Sequence, residues 1–132
     1  MYCNPAEINR SLSEILRPPQ RISVSQAAEK SLYVTTPGGF AGHWDRNAGP
    51  YMAEPMDAIR QREFDAVFFV GPAQSRKTFS LLGGAIAHAA VYDPADQIVV
   101  HMTQDAARDW SRKELDRWIR SSDDLKRNLS PR

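Results

Sequence analysis

Two adjacent side chains, Lys77 and Thr78, close the stretch Gly71-Pro72-Ala73-Gln74-Ser75-Arg76-Lys77-Thr78. It fits the phosphate-binding pattern G-x-x-x-x-G-K-[ST] at every position except the second glycine, where Arg76 stands. A loop of this kind turns backbone N–H groups inward around a polyphosphate. The helix that follows adds its first amides and the positive end of its dipole. Lys77 would then reach the β- and γ-phosphates, and the Thr78 hydroxyl would ligate Mg²⁺. The plainer alternative is a strand-to-helix turn that happens to carry a Lys-Thr pair.

The flanking elements decide whether such a loop can form. Ala66–Val70 is short, wholly apolar and β-prone, without alternation, as a strand buried on both faces of a parallel sheet would be. Phe79–Ala90 is rich in Leu, Ile and Ala and free of proline, which predicts a helix. After a break at Tyr92-Asp93-Pro94-Ala95-Asp96, Ile98-Val99-Val100 reads as a second buried strand reaching Met102. Two strands joined by one helix make a right-handed βαβ unit. The expected fold is therefore α/β, a phosphate-loop NTPase-like parallel core with an incomplete sheet and amino-terminal helices.

Those amino-terminal helices carry their own signals. Asn4-Pro5-Ala6-Glu7 is an N-cap with proline at the first helical position, and Ile8, Leu12, Ile15 and Leu16 recur at helical spacing. Arg17-Pro18-Pro19 ends that helix. Ser23-x-x-Gln26 opens a second, short one to about Lys30, anchored through Leu32 and Tyr33. Residues 35–49 are too densely punctuated by Gly and Pro for either regular period, and read as one long loop. A helix follows from Pro50 or Glu54 to about Arg62, with Pro55 fixing its start or bending it. Tyr51, just upstream of the loop strand, offers a flat face for an adenine, or simply packs. Thr103 caps a helix from Gln104 to about Arg120, with Trp110 and Trp118 on its apolar side, and Ser121-x-x-Asp124 opens a last one. Residues 1–49 form an amino-terminal helical and loop region, and residues 50–132 the front of the nucleotide-binding domain.

Composition excludes several other classes. At 42% apolar and 25% charged over 132 residues, the chain is of ordinary globular type. With 17 basic and 16 acidic residues, its net charge of +1 is no signature of nucleic-acid binding. Residues 108–132 hold eight basic and five acidic side chains, a balance typical of a solvated helix face. The lone Cys3 leaves no internal disulfide and suits a reducing cytoplasm. His43, His88 and His101 lack the spacing of a zinc site. No apolar run has signal-peptide or membrane-span length.

The combination of Pro50-Tyr51-Met52, Glu54-Pro55-Met56-Asp57-Ala58, the phosphate loop with its strand, Asp93-Pro94-Ala95 before Val99-Val100, and Trp110-Ser111 with Leu115 resembles the amino-terminal ATPase region of phage large terminase subunits of the lambda-like GpA family. The likeness spans roughly residues 22–130. It implies ATP and Mg²⁺ as cofactors and a place in a motor that drives double-stranded DNA into a capsid. It also implies the small terminase subunit, the capsid portal and further copies of the chain as partners, and the host cytoplasm as location. Two departures stand out: Arg76 replaces a glycine, and no apolar strand ending in Asp-Glu follows to hold Mg²⁺ and orient water. The family's nuclease portion is likewise missing. The chain is thus expected to supply the cradle but no catalytic residue. The alternative is a truncated remnant or interaction piece that binds no nucleotide.

Overall fold

The computed structural model describes residues 5–16, 18, 20–35 and 38–129; the expected caps at Asn4 and breaks at Arg17 and Pro19, together with Cys3, lie outside them. Helix α1 (Pro5–Ile15) carries Glu7 in its first turn, where the helix dipole favours an acid. Its apolar stripe is not packed away: Ile8, Leu12, Ile15 and Leu16 are all exposed.

Helix α2 (Val24–Ser31) begins as its sequence requires. The Ser23 hydroxyl accepts from the Gln26 amide while the Gln26 side chain accepts from the Ser23 amide, a complete capping box. Its anchorage is wider than Leu32 and Tyr33. Val24, Ala27, Ala28 and Leu32 are fully buried, and small side chains let neighbouring helices approach closely. The segment 35–49 read as a loop is partly regular: its β2 (Ala41–His43) pairs antiparallel with β1 (Tyr33–Thr35) just before it, Val34 opposite Gly42. β-branched and aromatic residues in Tyr33-Val34-Thr35 were the available signal. Two 3₁₀ turns, Arg46–Ala48 and Pro50–Met52, lead into α3 (Ala53–Ala58), which ends short of Arg62. Pro55 sits in the first turn of α3, where its missing N–H interrupts no bond.

The helix after the Gly71–Arg76 loop opens π-helical over Thr78–Gly83 and continues as α4 (Gly84–Val91). α5 (Gln104–Trp110), a π-helical stretch Ser111–Leu115 and α6 (Asp116–Ser121) follow, capped by Thr103 as expected. α7 (Asp123–Asn128) follows, but the Ser121 box does not form. Ser121 is the last residue of α6, and its hydroxyl donates to the Tyr33 carbonyl at 2.8 Å. With the Tyr33 amide donating to Ser122 Oγ at 2.8 Å, this fastens β1 to the α6–α7 junction.

The core lies where α2 meets α3, α4 and α7, around Val24, Ala28, Leu32, Met52, Met56, Ala87, Trp118 and Leu125. Gly83 and Gly84 permit this. A Cβ on Gly84 would stand 2.6 Å from Met56 Cε and 3.3 Å from Val24 Cγ1, and one on Gly83 3.1 Å from Leu32 Cδ2. One turn earlier, buried Ser80 accepts the Trp44 indole N–H at 2.9 Å, tying the phosphate-loop helix to the chain after β2.

No parallel βαβ core is present among the described residues. Among the described residues the sheet consists of β1 and β2 alone, and Ala66–Val70 and Ile98–Met102 belong to no strand. Phe69, Val99 and His101 are half-buried, whereas Phe68, Val70, Ile98, Val100 and Met102 are 83% to 98% exposed. The runs read as covered on both faces are therefore covered on one. Parallel strands are stable when both faces are packed, and two-stranded sheets are marginal even then.

Because Ser80 and Trp44 are both buried, Ser80→Ala strands an indole N–H and should lower unfolding free energy by about 1–3 kcal/mol in urea titrations. Ser80→Ala combined with Trp44→Phe should cost less than the sum of the two single changes. By contrast, Val70→Thr should shift stability by less than about 0.5 kcal/mol, since the side chain touches almost nothing.

Candidate functional site

The predicted loop residues stay together in space. From Gly71 the chain turns through Ala73–Arg76 into the helix, and the Ser80 amide already donates to the Arg76 carbonyl at 3.0 Å. The turn is sharp because Gln74 and Arg76 adopt φ +59° and +61°, a left-handed conformation that side chains resist. The second-glycine position of the sequence pattern is one of the two. The backbone there has the conformation that favours glycine, and arginine occupies it at a cost of about 1–2 kcal/mol. Strained backbone of this kind clusters at ligand-binding sites.

Lys77 arches back across the loop. Its ammonium donates to the Pro72 carbonyl at 2.7 Å and the Gly71 carbonyl at 3.3 Å, placing a positive charge over the ring that the loop describes. Within that ring the Ser75 hydroxyl is buried without a hydrogen-bond partner. Gly71 is close-packed as well: an added Cβ would lie 2.7 Å from Phe69 Cε1 and 3.3 Å from Ser75 Oγ. The Thr78 side chain is exposed at the first helical turn. Pro72, Ala73 and Gln74 form the exposed outer rim.

Two braces hold the loop from outside. The Tyr51 hydroxyl donates to the Ser75 carbonyl at 3.2 Å, and Arg76 Nη1 donates to the Ala48 carbonyl at 3.1 Å. Tyr51 thus stands beside the loop as the sequence order required, its ring 56% exposed. Arg76 commits its guanidinium to the 3₁₀ turn, whereas Lys77 is held by the Gly71 and Pro72 carbonyls. That turn is positioned in its own right: Asp45 caps it by accepting from the Asn47 amide at 2.8 Å, and Arg46 pairs with Glu29 of α2. Sequence reasoning passed over this contact between residues 40–48 and the phosphate loop. The glycines and proline of that stretch marked it as a functional type of loop, but nothing in them specified its neighbour.

The described residues contain no group of three or more His, Cys, Asp or Glu side chains placed to hold a metal ion. His88 is a buried helix residue whose Nε2 lies 3.0 Å from the Ile22 carbonyl, and His101 stacks 5.2 Å from Trp110. Trp118 is core, edge-on to Trp110. No described helix is long and apolar enough to cross a membrane.

Beside this loop geometry stands a comparison of the whole chain: a family of ATPase domains matches residues 38–132. That family is the ATPase domain of the phage terminase large subunit gpA, and the chain belongs to it. No curated protein and no solved structure matches.

Tyr51→Phe removes one exposed hydrogen bond, so global stability should stay within about 0.5 kcal/mol. Amide exchange of residues 73–77, followed by mass spectrometry, should nonetheless accelerate if the hydroxyl is what braces the loop.

Proposed function

We propose that this chain binds ATP on Gly71–Thr78 as part of the motor that drives double-stranded DNA into a phage capsid. The carrying observation is the Lys77 ammonium held over the loop by the Gly71 and Pro72 carbonyls, with the Ser75 hydroxyl buried and unpartnered beside it. A cation above an uncommitted donor suits a polyphosphate. Bound ATP supplies the phosphoryl group whose transfer powers such a motor. The chain's own residues would act by holding it. Backbone N–H groups of residues 73–78 face the phosphates, Lys77 bridges them, Ser75 Oγ donates inward, and Tyr51 fixes the rim.

Mg²⁺ fits less completely. Thr78 is the ligand of the expected type, and the described residues supply no cluster of carboxylates to complete a shell. Water and phosphate oxygens would have to do so. By family, the proposed partners are DNA, a small terminase subunit, the capsid portal and further copies of the chain. The bare apolar stripe of α1 favours a second role in protein contact, since Ile15 and Leu16 are more than 70% exposed.

Binding of a fluorescent ATP analogue should be measurable, strengthened by Mg²⁺ and lost in Lys77→Ala. No binding by the parent chain would leave only the protein-contact role. With no group of acidic side chains placed among the described residues to hold the metal and orient water, turnover should not rise above background. Steady Mg²⁺-dependent phosphate release that disappears in Lys77→Ala would contradict this. Arg76→Gly should tighten ATP about tenfold, roughly 1.4 kcal/mol. The guanidinium is committed to Ala48, so its charge offsets little of the backbone strain. Calorimetric titration in matched salt would reveal equal or weaker affinity if arginine instead serves the phosphates.

A further inference from the structure

We infer that a pocket between residues 97–101 and the helical run from α5 to α6 binds a small monocarboxylate with an apolar body. None of its walls comes from residues 71–78, so the inference stands apart from the nucleotide reading. The pocket encloses about 370 Å³. Ile86 of α4, Val99, Ala107 and Leu115 give it apolar wall, and His101 and Trp110 bring ring nitrogens to it.

Unsatisfied donors are the first reason. Trp110 Nε1 and His101 Nε2 are both buried, and neither has a hydrogen-bond partner among the described residues. An indole N–H can only donate, and an imidazole Nε2 donates in its Nε2–H tautomer or as imidazolium. Buried donors are costly to leave unpaired, and an acceptor that reaches them removes that cost. The two ring centroids lie 5.2 Å apart, so both donors belong to one part of the wall. A single carboxylate, with two oxygens that only accept, can serve both.

Charge and shape are the second reason. No described Asp or Glu lines the pocket, and its one titratable side chain is His101, which becomes a cation by taking up a proton. Hydrogen bonds to an ionised acceptor are roughly twice as strong as neutral ones, which favours a carboxylate over an amide of the same shape. Room for the apolar body is ample: a second hollow of about 520 Å³ shares Ile86, Gln97 and Leu129 with the first. Trp110 forms a firm wall, because its ring stands edge-on to buried Trp118 with centroids 5.7 Å apart. His101 is the adaptable side. Its run 98–102 belongs to no strand among the described residues, so the ring can turn to meet a ligand.

Octanoate, benzoate and their primary amides are titrated by calorimetry into the full chain and into Trp110→Phe, His101→Phe and Ala107→Leu, at one pH and salt concentration. The first two variants keep a ring and remove a donor, and the third fills the space. We expect at least one carboxylate to bind about tenfold tighter than its amide, and each ring variant to weaken that carboxylate about tenfold and its amide by less. Ala107→Leu should abolish binding. In two-dimensional NMR of the parent chain, the Trp110 indole N–H, identified by its proximity to the His101 ring, should shift with the bound carboxylate. The Trp44 indole N–H, already bonded to Ser80, should stay. No carboxylate binding at millimolar concentration, amides that bind as tightly, an unshifted Trp110 signal, or full affinity in both ring variants would each overturn the site. If Trp110→Phe fails to fold, His101→Phe and the parent-chain NMR shift decide.

Discussion

Close approach of α2 to the helix that leaves the loop at residues 71–76 is the contact on which the other placements depend. It requires residues without bulk on one side, Gly83 and Gly84, and small or branched residues on the other, Val24 and Ala28. Met56 fills the remaining space. Once these surfaces meet, the loop helix cannot slide or rotate without opening a cavity, and interiors tolerate cavities poorly. The Ser80–Trp44 hydrogen bond, one turn nearer the loop, converts that fixed helix into a fixed position for residues 44–48. The 3₁₀ turn then reaches the loop through Ala48 and Arg76. A loop with strained backbone is thus supported by contacts made almost wholly outside it.

Local signals in the sequence were sufficient wherever the physics was local. The Ser23–Gln26 capping box, the Thr103 cap, the break at Asp93-Pro94 and the order of loop and helix all depend on residues a few positions apart, and all appear as read. The Ser121–Asp124 cap failed for a tertiary reason: the Ser121 hydroxyl has a better partner in the Tyr33 carbonyl, far away in sequence. The β1–β2 pair was missed because glycine and proline at its turn obscured three-residue strands too short to show a period. The two apolar runs at 66–70 and 98–102 are the instructive case. Their composition reports suitability for burial on both faces, but burial needs neighbours, and composition cannot supply these.

Of the candidate site, the turn at residues 71–76 and the helix after it were legible because the residues that set them lie within a few positions of one another. The strain at position 76 was legible too, since a glycine in the pattern marks a backbone conformation and the arginine inherits it. What could not be read was the outer shell. The Arg76–Ala48 and Tyr51–Ser75 hydrogen bonds, and the aromatic residues around them, arise from how α2, β2 and the loop helix meet.

The exposure of the apolar side chains Phe68, Val70, Ile98, Val100 and Met102 has a thermal consequence. Apolar burial near room temperature is driven by solvent entropy, and it weakens on cooling. Any association through these side chains would accordingly be tighter in a warm cell than on ice. Such contact would leave little trace in ionic-strength dependence, because none of the five side chains carries a charge. Cold storage, usually chosen to protect a protein from self-association, would here loosen it, and warming would bring it back.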